Sequence, residues 1–145
     1  MTDPTPLALY IHWPFCVSKC PYCDFNSHVR DSVDQDAWRE ALLADMAHEA
    51  ALTKDRKLGS IFFGGGTPSL MPPETAAALI NAAEALWGFA DNVEITLEAN
   101  PSSVEAANFV ALAQAGVNRA SLGLQALNDE ALAFLGRAHR EEESL

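Results

Sequence analysis

No apolar run in the chain approaches the roughly 20 residues a membrane-spanning helix needs, although 49% of its 145 residues are hydrophobic. A membrane-spanning helix is therefore not expected, and enough apolar material remains for one domain with a real core. Positive charge is equally scarce: 9 Lys and Arg stand against 20 Asp and Glu, a formal net charge of −11. Such a surface repels phosphate backbones and anionic lipid heads, so nucleic acid is not an expected partner. The opening MTDPTPLALYIHW lacks the basic and long apolar regions of a secretory leader. A reducing, cytoplasmic setting is expected from these features.

Cysteine is rare, and its distribution is uneven. All three cysteines, Cys16, Cys20 and Cys23, fall within FCVSKCPYCDF, spaced Cys-x3-Cys-x2-Cys. In a reducing compartment, clustered thiols are more often metal ligands or redox groups than disulfides, and an odd count argues the same way.

Helix and strand signals alternate along the chain. LALYIHW (Leu7–Trp13) reads as a strand. A helix is predicted from Asp34 to Leu52, with Trp38, Leu42 and Met46 on one face. SIFF (Ser60–Phe63) is a short strand that stops at Gly64-Gly65-Gly66, and PPETAAALINAAEALW starts a second helix on its prolines. VEITLEA (Val93–Ala99) is a third strand. PSSVEAANFVALAQAG follows as a helix, with Ser102 and Glu105 at capping-box spacing and Gly116 as its stop. ASLGLQ (Ala120–Gln125) is a fourth strand, and NDEALAFLG a helix capped by Asn128 and ended by Gly136. Four strand–helix units imply an α/β fold with parallel strands. Four units do not close a barrel, so the chain is expected to be part of a larger one.

Each unusual cluster falls at the end of a predicted strand: the cysteines, the triple glycine, Glu98 with Asn100, and Gln125. Ligands bind at the carboxyl ends of strands in parallel α/β folds, so a single shared site is expected. Side-chain parity agrees. Leu7, Leu9, Ile11, Val93, Ile95, Leu97, Leu122 and Leu124 occupy one set of faces. Ala8, Tyr10, His12, Glu94, Thr96, Glu98, Ser121, Gly123 and Gln125 occupy the other. With the aliphatic rows under the helices, the polar and small rows line an interior with room for a polar ligand. An antiparallel sheet with one wet face would alternate in the same way, but the intervening helices argue against it.

Soft thiolates favour iron–sulfur clusters, zinc or copper(I). A structural zinc site wants four ligands, and His12 or His28 is near enough in sequence to complete one. A [4Fe–4S] cluster commonly takes four cysteines, so three would leave one iron open to another molecule. The residues alone leave both readings open.

The run YIHWPFCVSKCPYCDFNSH resembles the opening of the radical S-adenosylmethionine (SAM) family. More narrowly, it is similar to the branch that holds oxygen-independent coproporphyrinogen III oxidases and HemW-type haem chaperones. The likeness continues through FFGGGTPS, EITLEANPSS, GVNRASLGLQALND and LGRAHR, and so covers nearly the whole chain. It implies the N-terminal portion of a radical SAM core, a partial (β/α) barrel with about four βα units here. By this resemblance Cys16, Cys20 and Cys23 bind three irons of a [4Fe–4S] cluster, and SAM chelates the fourth. Gly65, Gly66 and Thr67 lie along its methionine part, and Glu98 binds its ribose or amino group. Tyr10, Tyr22, Gln125 and Arg137 match further SAM-contacting positions, some of which serve a second SAM in the oxidases. In the family, one electron from the cluster cleaves SAM, and the resulting radical abstracts hydrogen from substrate. An electron donor is therefore implied as a partner.

Two departures favour the chaperone branch. The oxidases carry a further cysteine two residues after the third ligand, where this chain has Phe25, and they have a longer extension before the first strand. The resemblance thus implies haem binding and delivery to haem-accepting proteins, with porphyrinogen oxidation in haem biosynthesis as the alternative. Enzyme activity stays open. A zinc-stabilised, non-catalytic domain is a second alternative. His12 and His28 are candidate haem ligands, and Arg137, Arg140 and His139 candidate partners for propionates.

Overall fold

A computed structural model describes residues 5–144. Residues 1–4, on which the reading of the N-terminus partly rests, and residue 145 lie outside it. In chain order the elements are β1 (Leu7–Trp13), β2 (Phe15–Cys16), β3 (His28–Val29), α1 (Gln35–Leu52), β4 (Leu58–Gly65), a 3-10 turn (Pro68–Leu70), α2 (Pro73–Trp87), β5 (Phe89–Ala99), α3 (Ser103–Gln114), β6 (Arg119–Leu122), α4 (Asp129–Phe134) and a second 3-10 turn (Glu141–Glu143). The main sheet has the order β1-β4-β5-β6, and every pair in it is parallel. Parallel neighbours require a crossover, and a helix supplies each one. The four-unit α/β reading holds.

Caps set the helix limits. Asp34 accepts from Ala37 N–H at 2.9 Å and starts α1, and Asn128 does the same for Ala131 in α4. Pro73 occupies the first turn of α2, where its missing N–H goes unneeded. Gly88 ends that helix at φ 71, a backbone shape that glycine tolerates best.

Register explains the two faces. Ile11, Phe63 and Leu97 are aligned across β1, β4 and β5, as are Leu9, Ile61 and Ile95. These side chains form one core cluster with Met46 of α1, Leu79 and Ile80 of α2 and Leu112 of α3. Burying each large apolar side chain is worth about 1.5–3 kcal/mol, so this face holds the helices on the sheet. The opposite face aligns Tyr10, Phe62, Thr96 and Arg119 in one row. His12 pairs with Gly64, and Glu98 with Ser121. Tyr10 stacks on Phe62, with ring centroids 6.2 Å apart and planes at 15°.

Three strand limits differ from expectation. β4 runs on through Gly64 and Gly65 because both keep pairing with β1, opposite His12 and Trp13. β5 begins at Phe89, ahead of the alternating run, and tolerates Asn92 at φ 57. β6 stops at Leu122, so Leu124 and Gln125 are not on a strand. Gln125 instead adopts φ 66, a left-handed conformation that breaks the ladder.

Candidate functional site

Strand ends bring the cysteine loop and the glycine run together. The loop leaves β1 through Pro14 and forms the short parallel pair β2–β3, in which Phe15 meets His28 and Cys16 meets Val29. His28 N–H also donates to Pro14 O at 2.6 Å. Cys23 N–H donates to Cys20 O at 3.0 Å, closing a tight turn between two of the thiols. All three cysteines are half-buried free thiols, and Cys23 Sγ lies 3.8 Å from the buried Ser27 hydroxyl.

The glycines serve packing before anything else. Gly66 N–H donates to Trp13 O at 2.7 Å, and Thr67 N–H to Phe15 O at 2.8 Å. A Cβ on Gly66 would fall 2.6 Å from Phe15 O and 2.9 Å from Cys16 Sγ. A Cβ on Gly65, at φ 116, would strike the His12 ring at 2.7 Å. Only glycine lets the chain press this closely on the cysteine loop. Thr67 itself is buried.

Beside this seam lies an open cleft of about 280 Å³ lined by Tyr10, His12, Phe25, Asn26, Gly65 and Glu98. Glu98 Oε2 accepts from Gly65 N–H at 3.2 Å. His12 is fully engaged: its Nε2 donates to Asn26 O at 2.8 Å, and Tyr10 Oη lies 3.1 Å from its Nδ1. A carbonyl can only accept, so in the neutral ring Nε2 carries the hydrogen and Nδ1 accepts from the phenol. Burial first, and the charge of Glu98 second, push the Tyr10 phenol above its ordinary value.

A second group gathers on the other side of the cysteines. Arg137 Nη1 lies 3.5 Å from Cys20 Sγ and 3.2 Å from Tyr22 Oη. Its Nη2 donates to Asn100 Oδ1 at 2.6 Å and to Gly123 O at 2.8 Å. Desolvation, then the hydrogen bond with Cys20, raise the Tyr22 phenol, with Arg137 pulling the other way.

The sequence-derived candidates therefore divide. Tyr10, Gly65 and Glu98 share the cleft, and Gly66 and Thr67 brace the loop that carries Cys16. Cys20, Tyr22 and Arg137 form the second group, and exposed Gln125 flanks it, its Nε2 3.4 Å from the place a Cβ on Gly123 would take. Asn26 and the Asn100–Arg137 bond were not legible, because nothing local in the sequence marks them. His139 does not face a ligand: it is 4% exposed, and its Nε2 bonds Leu124 O at 3.1 Å. His28 is engaged by Asn26 Oδ1 at 3.0 Å, and Arg140 is exposed.

The donor set fits an iron–sulfur cluster with SAM. Three thiols are free of disulfides, while both nitrogens of His12, one of the two histidines weighed as a zinc ligand, are taken. Arg137, whose Nη1 reaches Cys20, keeps its Nε buried without a hydrogen-bond partner, so the site holds an unsatisfied cationic donor.

Known proteins match this arrangement. Residues 10–145 fit the family model of the radical SAM superfamily. The chain is 49% identical over 144 residues to the heme chaperone HemW of Haemophilus influenzae, covering 96% of this chain and 38% of that protein. Against heme chaperone HemW of Escherichia coli the identity is 46% over 140 residues, covering 96% and 37%. A bovine mitochondrial protein, radical S-adenosyl methionine domain-containing protein 1, is 44% identical over 138 residues, covering 95% and 31%. The solved structure of Escherichia coli coproporphyrinogen III oxidase (HemN), a radical SAM enzyme, superposes with a TM-score of 0.83 at 31% identity, over 96% of this chain and 32% of that one. The chain thus spans less than two-fifths of the length of these relatives. The parallel sheet with its helices is a partial (β/α) barrel of their type, and the family implies a [4Fe–4S] cluster and SAM. The chain belongs to the radical SAM superfamily.

Proposed function

We propose that this chain is the N-terminal, cluster-holding portion of a haem chaperone of the HemW type. The observation that carries the reading is Phe25. It stands where the oxidase pattern has a cysteine, and it is an exposed ring (60%) on the wall of the cleft formed with Tyr10, Gly65 and Glu98. The higher identity to the two heme chaperones than to the oxidase structure supports the same choice.

In this reading Cys16, Cys20 and Cys23 would hold three irons, leaving the fourth open to SAM. Gly65, Gly66 and Thr67 line the way for the methionine part of SAM. Glu98 would accept from its ribose or amino group, and Tyr10, which lines the same cleft, would contact SAM beside it. Tyr22, Gln125 and Arg137 flank the far side, where the Arg137 guanidinium suits a carboxylate. When bound, the cluster and SAM supply one-electron chemistry that protein side chains lack. Haem binding, delivery to haemoproteins, an electron donor and a cytoplasmic location complete the proposal. No helix among the described residues is long and apolar enough to cross a membrane.

Haem titration of the full-length protein, beside anaerobic turnover of coproporphyrinogen III, tests it. The expected result is saturable haem binding without porphyrinogen oxidation. Sustained oxidation with SAM consumption would overturn it in favour of the oxidase.

A further inference from the structure

Glu105 is the one acidic side chain buried among the described residues, 5% exposed. Its spacing from Ser102 marks a capping box, yet only half of that box forms. Glu105 N–H donates to Ser102 Oγ at 3.3 Å, but Ser102 N–H turns to Asn100 O at 2.9 Å. The Glu105 carboxylate is thereby released for other partners. Oε2 accepts from Ser102 Oγ at 2.7 Å. Oε1 accepts from the Ser69 hydroxyl, from Asn100 N–H at 3.0 Å and from Asn100 Nδ2 at 3.4 Å. Four donors on one buried side chain offset its desolvation. They also tie together the turn after the glycine run, the end of β5 and the start of α3.

The bonds to Asn100 have a directional consequence. With Nδ2 facing Glu105, Oδ1 must face the other way, and there it accepts from Arg137 Nη2 at 2.6 Å. Gly123 O holds the same nitrogen at 2.8 Å. Anchored on that side, Arg137 presents Nη1 to Cys20 Sγ at 3.5 Å. A guanidinium is a rigid fork, so fixing one nitrogen fixes the other.

We propose that Glu105 and Asn100 are positioning residues, which hold Arg137 against Cys20 so that its N–H and charge raise the reduction potential of a cluster bound through that sulfur. This rests on the proposed function, in which Cys20 holds an iron. Hydrogen bonds to the sulfurs and local net charge are known determinants of cluster potential. Neither Glu105 nor Asn100 reaches a cysteine itself, so their contact with the sulfur runs through Arg137.

The test is an anaerobic redox titration of the reconstituted full chain without SAM, followed by electron paramagnetic resonance. Asn100→Ala and Glu105→Ala are expected to retain wild-type iron and sulfide. Their one-electron reduction equilibrium is expected to become about tenfold less favourable, a fall of about 59 mV. Glu105→Gln removes the same charge but keeps an acceptor for Asn100, so its potential is expected to stay about 59 mV above that of Glu105→Ala. Asn108→Ala is the structural control. Asn108 Nδ2 binds Ser69 O at 3.0 Å and Met71 O at 3.4 Å and does not reach Arg137, so its loss is expected to lower Tm without moving the potential. Wild-type potentials in both alanine variants overturn the proposal, as does an equal shift in Asn108→Ala. Should the alanine variants not fold, Arg137→Lys keeps the charge and loses the fork, and an unchanged potential there overturns it equally. A wild-type chain that takes up no iron and sulfide overturns the proposed function and this inference together, whereas normal assembly with unmoved potentials overturns this inference alone.

Discussion

The carboxylate of Glu98 and the backbone N–H of Gly65 meet at 3.2 Å, although 33 residues separate them in sequence. This bond joins the carboxyl ends of β5 and β4 at the wall of the cleft and leaves the second oxygen of Glu98 for a ligand. Glu98→Gln keeps a carbonyl oxygen for Gly65 but gives up the charge. It is expected to retain iron while weakening SAM binding about tenfold, about 1.4 kcal/mol, read by equilibrium dialysis of the reconstituted chain. Glu98→Ala is expected to lose the backbone bond as well, with a further loss of about 0.5–1.5 kcal/mol in stability by denaturant titration.

Gly66→Ala and Gly88→Ala separate close packing from backbone shape. The new Cβ at 66 would meet Phe15 O, Pro14 C and Cys16 Sγ, all within 2.9 Å. Backbone atoms give way at high energetic cost, so a loss of at least about 1–3 kcal/mol is expected, together with poor iron retention. At 88 no atom lies within 4 Å, and only the φ of 71 opposes a side chain. Gly88→Ala is therefore expected to lose about 1–3 kcal/mol, with iron uptake unchanged. Equal iron loss in the two variants would contradict this division.

Tyr10 gives an alkaline signature. Burial and the charge of Glu98 raise its phenol above the ordinary value, which is about 10. The folded state therefore keeps the proton after the unfolded chain has released it. By linkage, the contribution to stability is constant below the unfolded value and is lost as pH rises through the folded one. The chain has only two tyrosines, and Tyr22 is shifted the same way. Phenolate absorbance of the cluster-free chain is expected to rise later than that of free tyrosine, and Tyr10→Phe is expected to remove part of the alkaline destabilisation. Titration at the free-tyrosine value would contradict the burial argument.

Local chemistry made much of this fold legible. The limits of β1 match its alternating run, because one face is buried and the other is not. The helix starts follow from the side chains of Asp34 and Asn128, and two helix ends from Gly116 and Gly136, both at positive φ. Features set by distant partners were hidden. Gly64 and Gly65 belong to a strand only because β1 lies beside them, and Gln125 leaves its strand through a left-handed φ that glutamine seldom adopts. The two-residue strands β2 and β3 are too short to show a period. At the site, the cysteine spacing and the glycine run could be read directly. The approach of Arg137 to Cys20 spans 117 residues, and the capping-box spacing of Glu105 does not show that its carboxylate turns toward Asn100.

The central claim is that Cys16, Cys20 and Cys23 hold an iron–sulfur cluster with one iron open to SAM. Its most direct test is anaerobic reconstitution with iron and sulfide, followed by electron paramagnetic resonance of the reduced chain before and after SAM is added. The expected result is uptake of iron and sulfide in equal amounts, abolished by serine at any of the three cysteines and unaffected by His28→Ala, with a spectrum that changes when SAM binds. A chain that stays colourless, or binds zinc through its thiols in place of iron, or gives the same spectrum with and without SAM, would contradict it.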